Sequence, residues 1–423
     1  MTTTFNDAAF AALPVAPDAI AAVRERAYGE FGSLPMPSPE TEEWRYTDLS
    51  GFALDFAPHT PGHGEGTPGL GGDLAATMLQ HNSSVVMTTS GQDLEARGVI
   101  FCDLDVAAEK YPDLVTPHLH RLVPTGRTRF TALHGAFRTG GTFLYVPADV
   151  AVDLPLQTLT YLDADGAAVF PHTLLIAERG SEVTFIDRYS SPDLGSALSD
   201  AVAEIVVGDG AHVRYVSIQE WGSGLTHLGV QRAEVGRDAD FRSFAIGFGA
   251  SLARAEIETV LAQPGGSSEM LGIFFADETQ HFDHRSIQDH VASNCTSDLL
   301  YKGALRDRSR AVYSGWVYVR PGAQKTDAMQ TSRNIVLSEH AKADAIPNLE
   351  IEANDVKCGH AASVGPVEDD TLFYLESRGI PHEEAERLIV TGFFQEVLDR
   401  VQIDEVRVGA EAAIAAELAE GIR

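Results

Sequence analysis

The stretch Ala203-Glu204-Ile205-Val206-Val207, Gly208-Asp209-Gly210-Ala211, His212-Val213-Arg214-Tyr215-Val216-Ser217-Ile218 decides the fold. Two β-rich runs flank a short Gly/Asp turn, the composition that admits left-handed backbone at little steric cost. The unit recurs. Turns at Arg179-Gly180-Ser181, Gly208-Asp209-Gly210-Ala211, Gly236-Arg237-Asp238-Ala239 and Pro264-Gly265-Gly266-Ser267 lie about 26–30 residues apart, with two strand-like runs between neighbours. Asp307-Arg308-Ser309 and Ser338-Glu339-His340-Ala341 continue the series. Strand-like runs fall at Thr173–Ala177, Glu182–Ile186, Leu228–Val235, Asp240–Ile246, Ala255–Leu261, Glu269–Phe275, Ala311–Val319, Arg333–Leu337 and Leu349–Ala353. A coil that cannot bury its inner face alone must stack on its neighbours, so this rhythm predicts a β-solenoid built of parallel sheets. Antiparallel meanders give similar spacing and make a sandwich the alternative.

This texture runs from residue 142 to 365, and the chain changes character on either side. Residues 1–141 read as a helical and α/β region: helix-like stretches around Pro14 and Pro17, strand-like runs at Ser84–Thr88 and Val99–Cys102, and helices at Leu114–Leu122 and Thr128–Phe137. Within it, residues 58–72 are so rich in Gly, Pro and Thr that they predict a flexible loop. Residues 366–423 switch to helix. Glu368–Ser377 ends at Arg378-Gly379, where Gly supplies the left-handed residue that closes a helix. Pro381 suits the first turn of the next helix, whose apolar stripe reads Ala385, Leu388, Ile389, Phe393 and Val397; Val408–Ile422 forms a third helix. Such a cluster is either a cap on the solenoid or a docking surface.

Composition narrows the partners. The 423 residues carry 31 Lys+Arg against 61 Asp+Glu, a formal net charge of −30. That charge repels phosphate backbones and anionic lipid surfaces, so neither nucleic acid nor membrane is an expected partner. The polar, acidic start of the chain lacks the features of a signal peptide, which predicts a cytoplasmic protein. Cys102, Cys295 and Cys358 are too few and too scattered for a disulfide framework or a self-contained zinc site.

Two clusters hold chemistry-bearing residues. Gln280-His281-Phe282-Asp283-His284, followed by His290 and Cys295, offers imidazoles and a carboxylate. On one strand, however, residues 281 and 284 face opposite sides, so the alternative is stacked or polar side chains within the coils, with Cys295 a small core residue. In Asp355-Val356-Lys357-Cys358-Gly359-His360, an extended backbone projects Cys358 and His360 to one face, a soft ligand pair suited to iron or sulfur. Two ligands do not complete a cluster, which generally wants four, so a partner chain would have to supply the rest. A buried Cys beside an exposed His is the alternative. The chain shows no Walker A sequence, G-x-G-x-x-G after a strand, G-x-S-x-G or H-E-x-x-H, which argues against an autonomous enzyme.

Gln324-Lys325-Thr326-Asp327 to Asn334, Pro347-x-Leu349-Glu350-Ile351, the segment Asp355 to Gly365 and Phe373-Tyr374-Leu375-x-Ser377-Arg378-Gly379-Ile380 together resemble the SufB/SufD family of iron–sulfur cluster assembly proteins. His290, Cys295-Thr296-Ser297 and Tyr301-Lys302-Gly303 fit a region shared across that family, and Glu42-Glu43-Trp44-Arg45-Tyr46-Thr47 is similar to its N-terminal signature. The resemblance is strong over about residues 280–400. Ala341 falls where the SufB branch carries the cysteine implicated in building the cluster, and Ala361 where it carries a glutamate, so the chain sides with the SufD branch.

The resemblance implies a mainly β fold, with a right-handed parallel β-helix core, an N-terminal α/β region and a C-terminal helical domain that docks the ATPase SufC. It also implies a heterodimer with a SufB-type paralogue whose interface houses the nascent cluster, a homodimer being the alternative for the isolated chain. His360 is then the residue linked to cluster assembly, as an iron or cluster ligand, with Cys358 the second candidate. The expectation is a noncatalytic subunit of a SufBCD complex, in which a transient iron–sulfur cluster forms and none is held stably by the chain alone. Rival classes are a β-helix polysaccharide-processing enzyme, which would need an acidic cluster and a basic residue along an open groove, and a binding-only solenoid.

Overall fold

The computed structural model describes residues 3–69 and 72–420. Helices α1 (Asp7–Ala11) and α2 (Asp18–Ser33) open the chain, and a 3-10 turn follows at Glu42–Trp44. A hairpin of β1 (Ala76–His81) and β2 (Ser84–Ser90) leads to α3 (Gln92–Ala96), β3 (Ile100–Asp103), α4 (Leu104–Lys110), α5 (Pro112–Val115) and α6 (Arg129–Phe137). The strands β4 (Thr142–Val146), β5 (Leu156–Tyr161), β6 (Ala168–Val169), β7 (His172–Ala177), β8 (Glu182–Ser190), β9 (Ala197–Val207), β10 (His212–Trp221) and β11 (Leu225–Val235) come next. They continue as β12 (Asp240–Gly249), β13 (Leu252–Leu261), β14 (Ser267–Ala276), β15 (His281–His290), β16 (Thr296–Leu305), β17 (Arg310–Val319), β18 (Asp327–Val336), β19 (Lys342–Ile351) and β20 (Lys357–Pro366). Helices α7 (Asp369–Ser377), α8 (His382–Leu398) and α9 (Asp404–Glu420) follow.

The strands form a parallel solenoid. One sheet runs β2-β1-β5-β8-β10-β12-β14-β16-β18-β20 and the other β19-β17-β15-β13-β11-β9-β7-β4-β3, so from β7 onward successive strands alternate between the two and each coil adds one strand to each. In the first sheet Val213 pairs with Phe241, Phe241 with Ser268, Ser268 with Ser297, Ser297 with Ala328 and Ala328 with Cys358, steps of 28, 27, 29, 31 and 30 residues. The turns use the conformations their residues favour: Gly180, Gly210 and Gly265 have φ of 65°, 66° and 80°, and Asp238 and Asp307 have 52° and 56°.

Strand alternation sorts the side chains. In β10 and β12, Val213, Tyr215 and Phe241 point into the solenoid core, whereas Val216, Phe244, Ile246 and Phe248 belong to a second cluster on the outer face. Helices α8 and α9 cover that outer face with Val390, Phe394, Val397, Leu398, Val406, Ala410, Ile414 and Leu418. Polar ties hold them there: Lys302 Nζ donates to the Phe393 carbonyl at 2.6 Å, and Arg400 pairs with Glu269 and Asp298.

Four local expectations are revised. The helix expected over Leu114–Leu122 is only α5, because Pro117 has no N–H to continue it and His120 turns left-handed at φ 54°. Pro381 sits at the N-cap of α8 rather than in its first turn. The stripe of α8 is rotated: Ala385, Val390, Phe394, Val397 and Leu398 are buried, whereas Leu388 is exposed. Finally, the helices lie along the flank of the solenoid and leave its end free, so they do not cap it.

The Gly/Pro-rich segment has no regular structure but is fastened to the β1–β2 turn. Ser83 N–H donates to the Thr60 carbonyl, Gly64 N–H donates to His81 Nδ1 at 2.9 Å, and a Cβ on Gly62 would come 1.9 Å from the His81 carbonyl oxygen. Leu70 and Gly71 of that segment, and Gly421 and Ile422 of the expected last helix, lie outside the described residues.

Candidate functional site

The solenoid ends in β19 and β20, which pair with β17 and β18 on one side only. Their outer edges are therefore rows of unpaired backbone N–H and C=O groups, and most of their side chains are half-buried or exposed. Register places the candidate residues. In β18 the inward row is Ala328, Gln330, Ser332 and Asn334, each nearly inaccessible; Cys358 pairs with Ala328 and His360 with Gln330. Cys358 and His360 thus occupy the inward row of the last coil, the geometry expected of alternate residues on an extended strand.

The environments of the two differ. Cys358 packs against a small cluster of Val317, Val319, Ala328 and Ala353, and burial pushes its thiol above the ordinary range. His360 is exposed. Beneath it runs a polar ladder: Gln330 Nε2 donates to Tyr313 Oη at 3.0 Å, which lies 2.6 Å from Ser286 Oγ. A Cβ on Gly315 would strike Gln330, so the missing side chain makes room for that ladder, and one coil further Pro347 takes the register position of Gly315 as His360 takes that of Gln330.

Ala341 lies in the turn entering β19 and packs with Ala343 at the opposite end of the coil from Cys358, in a different apolar cluster. Six residues separate it from Pro347, about 20 Å of extended strand. Within one chain, the Ala341 position and His360 are therefore far apart.

The His281–Cys295 region does not assemble into a site. His284 faces inward and stacks on Phe274 with ring centres 4.8 Å apart, His290 lies 2.8 Å from Ser297 Oγ inside the coil, and Cys295 is a fully buried core thiol. On the outer face, Asp283 pairs with the buried Arg254 and accepts from Thr47 Oγ1, which also lies 3.2 Å from His281 Nε2. Arg254 in turn covers the Trp44 ring at 4.0 Å and, with Arg285, donates to the Glu43 carbonyl. The segment Glu42–Thr47 is thereby locked onto β13 and β15, a link between two distant stretches that no spacing along the chain reveals.

Residues 160–393 match the family model "SUF system FeS cluster assembly, SufBD core domain", and residues 73–158 match "SufBD protein N-terminal region". The chain belongs to the SufBD family. It is 32% identical over 401 residues to the iron–sulfur cluster assembly protein SufD of Bacillus subtilis, covering 91% of each chain. An iron–sulfur cluster assembly SufBD family protein of Mycobacterium tuberculosis is 37% identical over 305 residues, 70% of this chain and 75% of that one. Another, from Staphylococcus saprophyticus, is 32% identical over 323 residues, 76% of this chain and 70% of its own. This SufBD protein is a SufD homologue with a parallel β-solenoid core, and no helix among its described residues is long and apolar enough to cross a membrane.

Proposed function

We propose that the chain is a noncatalytic, cytoplasmic subunit of an iron–sulfur cluster assembly complex, pairing with a SufB-type paralogue and docking the ATPase SufC. The observation that carries this reading is the uncovered last coil. A solenoid left open at one end presents strand edges that a homologous solenoid can extend, burying half-exposed side chains and satisfying the unpaired backbone groups. His360 is the imidazole on the inward row at that end, so a partner added there would enclose it. An imidazole contributed from this side and thiolates from the other would give the mixed donor set an iron–sulfur centre accepts. Cys358 is the second candidate, although its packed, protonated thiol favours a structural role.

The C-terminal helices supply the second contact. None of the residues of α7 is buried, and Phe373, Tyr374 and Leu388 present 71%, 56% and 45% of their surface to solvent. Exposed aromatic and aliphatic side chains on neighbouring helices are the usual anchors of a protein interface. The nascent cluster is cargo of the complex, and the isolated chain holds none because Cys358 and His360 fall short of four ligands.

Coexpression with SufB-type and SufC-type chains tests this reading. Copurification of all three, with iron and sulfide in the complex and neither in the single chain, is the expected result. Failure of the three to copurify, or stoichiometric sulfide in the chain alone, would overturn it.

A further inference from the structure

Three histidines from separate parts of the chain meet where the N-terminal region joins the solenoid. His120 comes from the turn after α5, His134 from α6 and His172 from β7; all are buried, and one ring nitrogen of each lies within 4.8 Å of the others. Their hydrogen bonds fix which nitrogens are free. His120 Nδ1 lies 3.1 Å from the Val123 carbonyl and His134 Nδ1 lies 2.8 Å from the Asp200 carbonyl. A carbonyl only accepts, so both Nδ1 atoms carry the proton and both Nε2 atoms present a lone pair. His134 Nε2 lies 3.0 Å from His172 Nδ1, and His172 Nε2 lies 3.2 Å from Glu204 Oε2. Glu204 is held by three backbone donors, the N–H groups of His120, Leu122 and Val123, at 2.6, 2.6 and 3.0 Å.

With Glu204 ionised, this arrangement lacks one donor. A neutral His172 carries a single proton: on Nδ1 it satisfies His134 but leaves the Nε2 lone pair facing a carboxylate oxygen, and on Nε2 it faces Glu204 but sets two lone pairs against each other. One more proton, on His172 or on Glu204, would ease both contacts and still leave His120 Nε2, which has no hydrogen-bond partner among the described residues, orphaned in the interior.

We propose that His120 Nε2, His134 Nε2 and His172 Nδ1 bind a divalent transition-metal ion of the zinc class, with Glu204 accepting from His172 Nε2–H. The ion takes up all three lone pairs, and each ring then gives its remaining N–H to a carbonyl or a carboxylate, the outer-shell pattern that orients metal-bound imidazoles. The 3.0 Å between His134 Nε2 and His172 Nδ1 approaches the roughly 3.3 Å separating two nitrogens on a tetrahedral zinc. A three-nitrogen set leaves the fourth position to water. Because the ligands are sealed from solvent, the metal enters as the chain folds, and it joins the N-terminal region to β7 and β9. This ion is distinct from any cluster at His360, and the inference stands apart from the proposed function.

The test uses untagged full-length protein, purified from zinc-supplemented medium and, separately, unfolded in guanidinium with chelator and refolded with Zn2+ or Co2+. The expected result is one metal per chain that survives gel filtration in EDTA, and a cobalt form with intense visible d–d bands and no thiolate-to-cobalt charge transfer. His172→Ala and His120→Ala should lose the metal, whereas His360→Ala and Cys358→Ser should keep it. Wild-type protein that is natively folded yet holds less than a tenth of an equivalent by both routes would overturn the proposal, whatever the variants do. So would cobalt binding that survives in folded His172→Ala or disappears in His360→Ala.

Discussion

His360 stands one coil beyond Gln330 at the same position of the stack, and the two differ in what lies above them: Gln330 is sealed by the next coil, His360 by nothing among the described residues. The final coil is built to the same register as those beneath it, and none of the described residues caps it. His360→Ala in the assembled complex should therefore leave copurification unchanged while iron and sulfide per complex fall on the order of tenfold, the scale of losing a supporting group at a metal site. Cys358→Ser should cost far less, since its thiol is packed and protonated. Metal and sulfide analysis of the purified complexes reads both, and wild-type content with His360→Ala would remove its assigned role.

Arg254 is the keystone between the Glu42–Thr47 segment and β15. Replacing it with Ala strips Asp283 of its buried counter-ion and Trp44 of its cation, so about 3–5 kcal/mol should be lost. Arg254→Met, which keeps the volume, pairs with Asp283→Leu as a milder double change. Urea unfolding gives the energies, and limited proteolysis near residue 42 should accelerate in Arg254→Ala alone.

Acid should destabilise the solenoid through its interior imidazoles. Burial holds His284 and His290 down to about 4 and His227 to about 3, whereas an imidazole in the unfolded chain titrates near 6.5. Below pH 6.5 the unfolded chain takes up protons that the native one refuses, so this contribution is full above 6.5 and declines as pH falls toward 4. Each group costs up to about 1.4 kcal/mol per pH unit across that window. His284→Phe keeps the stack on Phe274 and removes an Nδ1 that has no partner, so it should be neutral or stabilising at pH 7.5 and flatten the decline. Urea midpoints between pH 7.5 and 4.5 decide; an unchanged slope would show that His284 takes up its proton alike in the native and unfolded chain.

On α7 and α8, Phe373→Glu with Leu388→Asp should abolish ATPase binding at a stability cost within about 0.5 kcal/mol, because both side chains already face water. Phe394→Ala should do the reverse: about 3–5 kcal/mol of stability lost through a cavity on the solenoid flank, before any effect on docking. Pulldown and thermal melts together separate the two. Removing residues 366–423 is a poor test, since it would lay bare Phe244, Ile246, Phe248 and Phe275.

The solenoid was legible because its turns carry Gly and Asp where the backbone goes left-handed, as at Gly210 and Asp238, and because apolar residues line the strands between. Strands β15 and β16 escaped that reading. A run such as His281-Phe282-Asp283-His284-Arg285 looks like a site, yet its charges are absorbed by Arg254 outside the coil and by aromatic stacking within. The pairing of Cys358 and His360 on one face followed from strand parity alone. The phase of α8 did not, because Leu388, Ile389, Val390, Phe393 and Phe394 offer two overlapping stripes and only the partner sheet chooses between them. The His120–His134–His172 group had no signal at all, since ligands brought together by three separate elements share no spacing.

The flank covered by α8 and α9 has a consequence for synthesis on the ribosome. Phe248 emerges 149 residues before Val397, the side chain of α8 that shares its cluster. At about 5–20 residues per second, that is roughly 7–30 s during which finished coils display a bare aromatic wall to solvent. Every newly made copy passes through that interval, so a chaperone that shields nascent chains would be engaged by the solenoid's own outer face, and the chain would become self-sufficient only when its last helix is released.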